Sequence, residues 1–167
     1  MPSQIRNSSD VSLKEKIEIQ RTYLGKLGEV VFEKFLREKN KSVDTSEMFK
    51  VYDGQDNVDE FDFITKDGMT VDIKTGFRNN HIRLLVNCEQ FNNKHKDYYV
   101  AVKLNAVDVD SDSKIVDWEN ITNGRIVGYA QYEYMREHAK INDFGEGDAR
   151  YIKYEHLLGI DKLVKSF

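Results

Sequence analysis

The feature that most constrains the fold is a pair of alternating apolar and polar runs on either side of the sequence Lys66-Asp67-Gly68. Strict alternation places successive side chains on opposite faces of a β-strand, and an Asp-Gly pair between two such runs is a tight-turn signal. The sequence therefore predicts a β-hairpin over residues 58–76. Four apolar positions in these runs are predicted to face the core: Phe61, Phe63, Val71 and Ile73.

The opposite face of the predicted hairpin carries two carboxylates and a lysine, at Asp62, Asp72 and Lys74. Because Asp62 and Asp72 lie at similar distances from the turn, pairing of the two strands would bring their carboxylates close together. Two neighbouring carboxylates repel one another, which raises the pKa of one of them unless a cation neutralises the pair. Mg²⁺ suits such a position because it favours carboxylate oxygens and retains bound water. Lys74 would project to the same place, where an amine can orient or deprotonate an attacking water and stabilise phosphate charge.

The remaining pattern predicts an α/β (α+β) fold with a mixed central sheet flanked by helices. Helices are predicted at residues 12–40, 88–96 and 131–140, strands at 81–86, 98–104, 125–130 and 149–154, an extended segment at 48–53 and a polar loop at 105–123. A length of 167 residues suits one domain with a proper core. We therefore expect a single domain over 1–167, with a polar tail at 1–11, a core at 12–104 and a C-terminal extension of the same domain at 105–167.

The first predicted helix begins with a capping signal and contains two glycines. Ser12 followed three residues later by Glu15 is a capping-box pattern. Gly25 and Gly28 are unfavourable inside a helix. They predict either a close approach of the helix to a strand or to a phosphate backbone, or a helix that begins later than residue 12.

The composition excludes several classes of protein. No run approaches the roughly 18 apolar residues of a membrane span, and the N-terminal segment MPSQIRNSSD lacks the apolar core of a signal peptide. Cys88 is the single cysteine, which excludes an internal disulfide and a multi-cysteine zinc site. We therefore expect a cytoplasmic protein that does not associate with a membrane.

Charge is distributed unevenly along a chain whose net charge is −4. Residues 51–73 carry seven acidic side chains and one basic side chain, whereas residues 74–103 carry six basic and two acidic ones. A carboxylate cluster beside a basic stretch is what a metal-assisted enzyme acting on phosphates needs. Ordinary uneven surface charge would give the same balance, so this observation leaves both interpretations open.

The spacing of Asp62 and Asp72-Ile73-Lys74, preceded by Gly28-Glu29 in a helix, resembles the PD-(D/E)XK nuclease superfamily, the restriction-endonuclease-like phosphodiesterases. The resemblance covers residues 12–104, which reproduce the superfamily order of helix, three strands, helix and a further strand. It implies that Asp62, Asp72 and the backbone carbonyl of Ile73 bind the metal, that Glu29 completes the site or holds its water shell, and that Lys74 activates water. Phe61 stands where the proline of the superfamily name would be.

The resemblance implies a Mg²⁺-dependent DNA endonuclease, with Mn²⁺ as a substitute, that hydrolyses the phosphodiester backbone by metal-activated water. Cleavage would leave a 5′-phosphate and a 3′-hydroxyl. The substrate would be duplex or branched DNA, and a homodimer or a protein partner is left open. Residues expected to contact the substrate are Thr75, Arg78, Arg83 and Gln90.

Three alternatives remain open at this point. The chain can be a non-catalytic module of the same fold that binds nucleic acid or protein, or a Holliday-junction resolvase. The third alternative is a calcium-binding interaction protein, because residues 108–119 match the calcium-loop pattern at positions 1, 3, 5 and 12. Ser113 replaces the glycine that the turn of such a loop needs, so we interpret this segment as an acidic surface loop.

Overall fold

A computed structural model of the chain describes residues 12–41, 43, 61–106 and 120–167. These residues form four α-helices, seven β-strands and a short 3₁₀-helix. The helices are α1 (Leu13–Glu38), α2 (Cys88–Lys94), α3 (Tyr132–His138) and α4 (Asp161–Val164), and the 3₁₀-helix spans Tyr154–His156. The strands are β1 (Phe63–Ile64), β2 (Thr70–Gly76), β3 (Arg83–Asn87), β4 (Tyr98–Ala106), β5 (Ile121–Gln131), β6 (Lys140–Asp143) and β7 (Asp148–Lys153).

The strands form a mixed sheet and an antiparallel sheet. The mixed sheet has the order β1-β2-β4-β5, in which β2 and β4 are parallel and the other two pairs are antiparallel. The second sheet has the order β3-β7-β6. The prediction of an α+β fold with a mixed sheet flanked by helices is therefore confirmed. The predicted hairpin also forms, since Phe63 lies opposite Val71 across β1 and β2 and Gly68 in the turn has a φ of +82°.

Helix α1 packs on one face of the mixed sheet. Its N-terminus is capped as predicted, with the side chain of Ser12 accepting a hydrogen bond from the N–H of Glu15 at 3.2 Å. Phe32 and Leu36 of α1 are fully buried. They belong to a core cluster that also contains residues from β1, β2, β4, β5 and the C-terminal segment: Leu24, Phe63, Val71, Ile73, Val100, Val102, Leu104, Tyr129, Leu163, Val164 and Phe167.

The glycines of α1 have different environments. The helix begins at Leu13, so both glycines lie inside it and the alternative of a later start is wrong. A Cβ at Gly28 would overlap the hydroxyl of Thr75 and lie 3.1 Å from its Cβ, whereas a Cβ at Gly25 would have no described atom within 4 Å. Gly28 is therefore the residue that lets α1 approach β2.

The opposite face of the mixed sheet packs against the second sheet and against α2 and α3. The residues of this second core cluster are Leu84, Val86, Phe91, Tyr99, Ala101, Ala130, Met135 and Ile152. The described part of the chain thus has three layers, with the mixed sheet between α1 and the second sheet. Within it, no helix is long and apolar enough to cross a membrane.

Several details differ from the sequence predictions. Phe61 is 37% exposed and does not belong to the core, because β1 begins only at Phe63. The strand predicted at 81–86 forms as β3, but it pairs with β7 outside the mixed sheet. Strand β6, the 3₁₀-helix and α4 were not predicted. The predictions for residues 48–53 and 108–119 fall outside the described residues.

Candidate active site

Asp62 is the residue before β1 and lies beside β2. Its backbone N–H donates to the carbonyl of Val71 at 3.0 Å, and its carboxyl oxygen Oδ2 accepts the N–H of Ile73 at 2.7 Å. These two bonds hold the Asp62 side chain beside β2. There it is hydrogen-bonded to the carboxyl groups of both Asp72 and Glu29.

Glu29 reaches this point from α1. Its side chain is buried, with the residue only 8% exposed, and one carboxylate oxygen lies 3.2 Å from the Nζ of Lys26. The close approach of α1 to β2 at Gly28, the preceding residue, brings Glu29 to the edge of the strand. Carboxyl groups from three separate segments, α1, the residue before β1, and β2, therefore converge.

Lys74 lies beside this carboxyl cluster. Its Nζ is 2.9 Å from Oδ2 of Asp72, and the two side chains are 27% and 21% exposed. Asp72 and Lys74 lie opposite Tyr99 and Ala101 in the register of β2 and β4, so they share the sheet face that is turned away from α1. The partial exposure of both side chains leaves the ion pair accessible from solvent.

The pKa values of Asp62 and Asp72 are shifted in opposite directions. Burial, together with the adjacent Asp72 and Glu29, raises the pKa of Asp62 from 3.8 to about 10. Burial alone would also raise the pKa of Asp72, but Lys74, the hydrogen bond with Asp62 and the charge of Lys96 lower it on balance. Asp62 therefore holds a proton at neutral pH while Asp72 stays ionised.

The donor set suits a hard divalent cation in its chemistry, since it consists of carboxyl oxygens next to the backbone carbonyl of Ile73. The carboxyl group of Asp62 is, however, hydrogen-bonded to those of Asp72 and Glu29. Among the residues that the structure describes, no three His, Cys, Asp or Glu side chains are arranged to hold a metal ion as they stand. A bound cation would replace the proton of Asp62, because metal ligands bind in their deprotonated form.

The residues predicted to contact the substrate are dispersed. The hydroxyl of Thr75 is buried against Gly28 on the α1 side of the sheet and has no hydrogen-bond partner in the described structure, so Thr75 does not share a face with Lys74. Arg83 lies in the second sheet, with its guanidinium 5.5 Å from the ring centroids of Phe144 and Tyr151.

Arg78 and Gln90 complete the predicted set. Arg78 follows β2 and lies over the ring of Phe77, 4.9 Å from its centroid. Gln90 is exposed on α2. Of the four predicted contact residues, Thr75 lies in β2 but faces α1, and Arg78 follows the end of β2.

Two lysines near the carboxyl cluster were not predicted. Lys26 lies one helical turn before Glu29, and the i,i+3 spacing of opposite charges on a helix is a signal that could have identified it. Lys96 lies between α2 and β4 and lowers the pKa of Asp72 by its charge. No local pattern marks Lys96, because only the pairing of β2 with β4 brings it near the carboxyl cluster.

No protein-family model, no curated protein and no solved structure matches the chain. The function is therefore inferred from the arrangement of Glu29, Asp62, Asp72 and Lys74. Their separate origins on α1, at the hairpin edge and on β2 show that the fold brings them together, since no two of the three acidic residues are neighbours in the chain.

Proposed function

We propose that the protein is a Mg²⁺-dependent phosphodiesterase, most simply a DNA endonuclease with a restriction-endonuclease-like core. One observation carries this proposal: the carboxyl groups of Glu29, Asp62 and Asp72 converge at a strand edge, with the Nζ of Lys74 at 2.9 Å from Asp72. The same residues carry the resemblance to the PD-(D/E)XK nucleases. Mn²⁺ is expected to substitute for Mg²⁺, because both prefer oxygen ligands.

A purely structural role accounts poorly for this cluster. Removing carboxyl groups from water is unfavourable unless each one is paired, and apolar side chains of similar size fill such a position without that penalty. Here the mutual proximity of the groups raises the pKa of Asp62 to about 10. Strongly shifted pKa values beside a partly exposed ion pair are typical of functional sites.

Each residue has a distinct role in the proposed reaction. Asp62, Asp72 and the carbonyl of Ile73 would hold the cation, with Glu29 completing the site or its water shell. A bound Mg²⁺ would supply Lewis-acid stabilisation of the phosphate and a more acidic water. Lys74 would position the attacking water in line with the scissile bond and stabilise the negative charge that develops on the phosphate oxygens.

Hydrolysis by this route breaks the bond between phosphorus and the 3′-oxygen of one nucleotide. The oxygen of the attacking water becomes part of the 5′-phosphate, and the leaving 3′-oxygen takes a proton to become a hydroxyl. Cleavage inside a strand would make the enzyme an endonuclease. A homodimer or a protein partner would supply the second cut in a duplex.

The proposal is tested by incubating supercoiled plasmid, single-stranded DNA, branched DNA and RNA with Mg²⁺ or Mn²⁺. We expect metal-dependent cutting that Lys74→Ala reduces by about 10²–10⁴-fold, the range for a positioned group that acts on the reacting water. Lys66→Ala is the matched control, since Lys66 lies exposed in the turn of the same hairpin. Absence of cutting on every substrate, or equal cutting by Lys74→Ala, would contradict the proposal.

A further inference from the structure

The charges of the carboxyl cluster are balanced within the chain at neutral pH. Asp62 holds a proton there, because its pKa is raised to about 10. The other two carboxyl groups form ion pairs, Asp72 with Lys74 at 2.9 Å and Glu29 with Lys26 at 3.2 Å. A further cation beside this cluster is therefore not needed to balance it.

Lys96 is such a further cation. It lies between α2 and β4, and its charge lowers the pKa of Asp72. Among the residues that the structure describes, Lys96 forms no ion pair with a carboxylate. Its Nζ donates to the backbone carbonyl of Lys94 at 3.1 Å. An ammonium group has three donors, so two remain for a ligand.

The backbone of Lys96 is held on the sheet face that carries Asp72 and Lys74. Its N–H donates to the hydroxyl of Tyr99 at 2.9 Å. Tyr99 is the register partner of Asp72 in the parallel β2–β4 pair, and it belongs to the core cluster on the face turned away from α1. The position of Lys96 next to Asp72 is therefore set by the pairing of the two strands.

Asp97 ties the same loop to the start of β2. Its carboxylate accepts the N–H and the hydroxyl of Thr70 at 2.8 and 3.0 Å, and its own N–H donates to that hydroxyl at 3.1 Å. Thr70 precedes Asp72 by two residues, so both side chains lie on the same face. The loop thus lies on the Thr70 side of Asp72, whereas Lys74 lies on the other side along the strand.

The two lysines are both partly accessible to solvent. Lys96 is half-buried, and the side chain of Lys74 is 27% exposed. A phosphodiester carries its negative charge on two non-bridging oxygens, and this charge increases as water attacks. Positive groups that are already in place where such charge develops stabilise the transition state.

We propose that Lys96 binds a non-bridging oxygen of the phosphate that is cleaved, from the side opposite to Lys74. This inference rests on the proposed nuclease function and adds a catalytic residue to it. Asp97 and the hydroxyl of Tyr99 are positioning groups, since they fix the backbone on both sides of Lys96.

The test compares Lys96→Gln with the wild type in cleavage and in binding of a fluorescent duplex oligonucleotide in the presence of a chelator. We expect kcat/KM to fall by about 10–100-fold, the loss for one hydrogen bond to a charged group. In fluorescence anisotropy, the slope of log K against log salt concentration should become shallower by about 0.9, the value for one duplex phosphate contact. Lys96→Arg keeps the charge and should retain the wild-type slope.

Lys94→Gln is the matched control, because it removes the same charge from an exposed residue of the same segment. Its kcat/KM and salt slope should match those of the wild type. Thermal unfolding should be the same for all the variants, since each keeps the backbone N–H that bonds to Tyr99. An equal loss in Lys94→Gln and Lys96→Gln would overturn the inference, because the effect would then be one of general surface charge.

An unchanged salt slope and kcat/KM for Lys96→Gln, in an enzyme that cuts DNA, would overturn the inference and leave the nuclease proposal intact. A change confined to the pH profile of cleavage would also overturn it, because Lys96 would then act only through Asp72. A wild type that binds DNA through Lys96 but cuts no substrate would overturn the nuclease proposal and retain the phosphate contact. A wild type that neither binds nor cuts nucleic acid would overturn both.

Discussion

Asp62 keeps its proton in the folded protein at neutral pH because burial and two neighbouring carboxyl groups oppose its ionisation. A free aspartate in the unfolded chain loses that proton near pH 4. The protonated carboxyl is therefore a source of instability that the fold tolerates at neutral pH. Groups that lower stability in this way are often retained because function needs them.

The variant Asp62→Asn should distinguish the effect of Asp62 on stability from its effect on activity. The folded pKa of Asp62 is raised, so its contribution to stability is complete below pH 3.8 and declines as the pH rises. Asparagine cannot ionise and still presents an oxygen to the N–H of Ile73. We expect the free energy of unfolding of the variant, relative to the wild type, to increase between pH 5 and pH 8 in denaturant titrations with a chelator present, while cleavage is lost. Parallel stability curves for the two proteins would show that Asp62 is not protonated in the folded state.

The lowered pKa of His81 predicts the opposite pH dependence of stability. Its folded pKa of about 4 lies below the 6.5 of an unfolded histidine, because burial and the charges of Lys103 and Arg78 oppose its protonation. Its contribution to stability is present above pH 6.5 and is lost as the pH falls towards 4. In denaturant titrations across this window, His81→Gln should lack that component. If the wild type and His81→Gln lose stability equally, His81 does not have this role.

At the scale of elements, the contact between α1 and β2 places Glu29 beside the hairpin. This contact depends on Gly28, since any Cβ there would overlap the hydroxyl of Thr75. The close approach is a property of the helix–strand pair, and it explains why a helix here contains a residue that disfavours helices.

Gly28→Ala and Gly25→Ala should change stability in opposite directions. We expect Gly28→Ala to destabilise by about 1–3 kcal/mol through overpacking, and Gly25→Ala to stabilise by about 1 kcal/mol through helix propensity. The double variant Gly28→Ala/Thr75→Ala should recover part of the loss, because the overlapping hydroxyl is gone. Thermal and denaturant unfolding measure all three, and a neutral Gly28→Ala would contradict the proposed contact.

The elements that could be predicted are those with strong local patterns. The alternation around Lys66-Asp67-Gly68 predicts the β1–β2 hairpin. The apolar residues Leu24, Leu27, Val31 and Phe35 recur at three- and four-residue spacing, which predicts α1. Strand β6 has all four residues exposed and therefore no apolar pattern to detect. Strand β3 was predicted as a strand, but its pairing with β7 depends on residues more than sixty positions away. Local periodicity shows that a segment is extended and does not identify its partner.

The same limit applies to the candidate site. The pairing of Asp62 with Asp72 follows from the hairpin alone, which is a local structure. The position of Lys96 depends on the order of strands in the mixed sheet, and no short pattern encodes that order. Thr75 was expected at a phosphate because it follows Lys74, but adjacent strand residues point to opposite faces.

At the scale of the whole molecule, the mixed sheet separates two hydrophobic core clusters. Strand β2 contributes to the core with one face and to the candidate site with the other. Val71 and Ile73 face α1 and are buried, while Asp72 and Lys74 face the other way and remain partly exposed. A cation bound at this strand would link α1, the hairpin and the sheet. Binding to the folded state alone would therefore stabilise the whole protein, by about 2.7 kcal/mol at a hundredfold excess over Kd.

A calorimetric titration with Mn²⁺ shows whether the carboxyl cluster binds a divalent cation. We expect the wild type and Asp67→Asn to bind the ion and Asp72→Asn to lose it. Asp67 is the matched control because it lies exposed in the turn of the same hairpin. Binding that survives Asp72→Asn would show that the carboxyl cluster is not the cation site. Binding that is lost instead on Asp108→Asn would favour the calcium-loop alternative at residues 108–119.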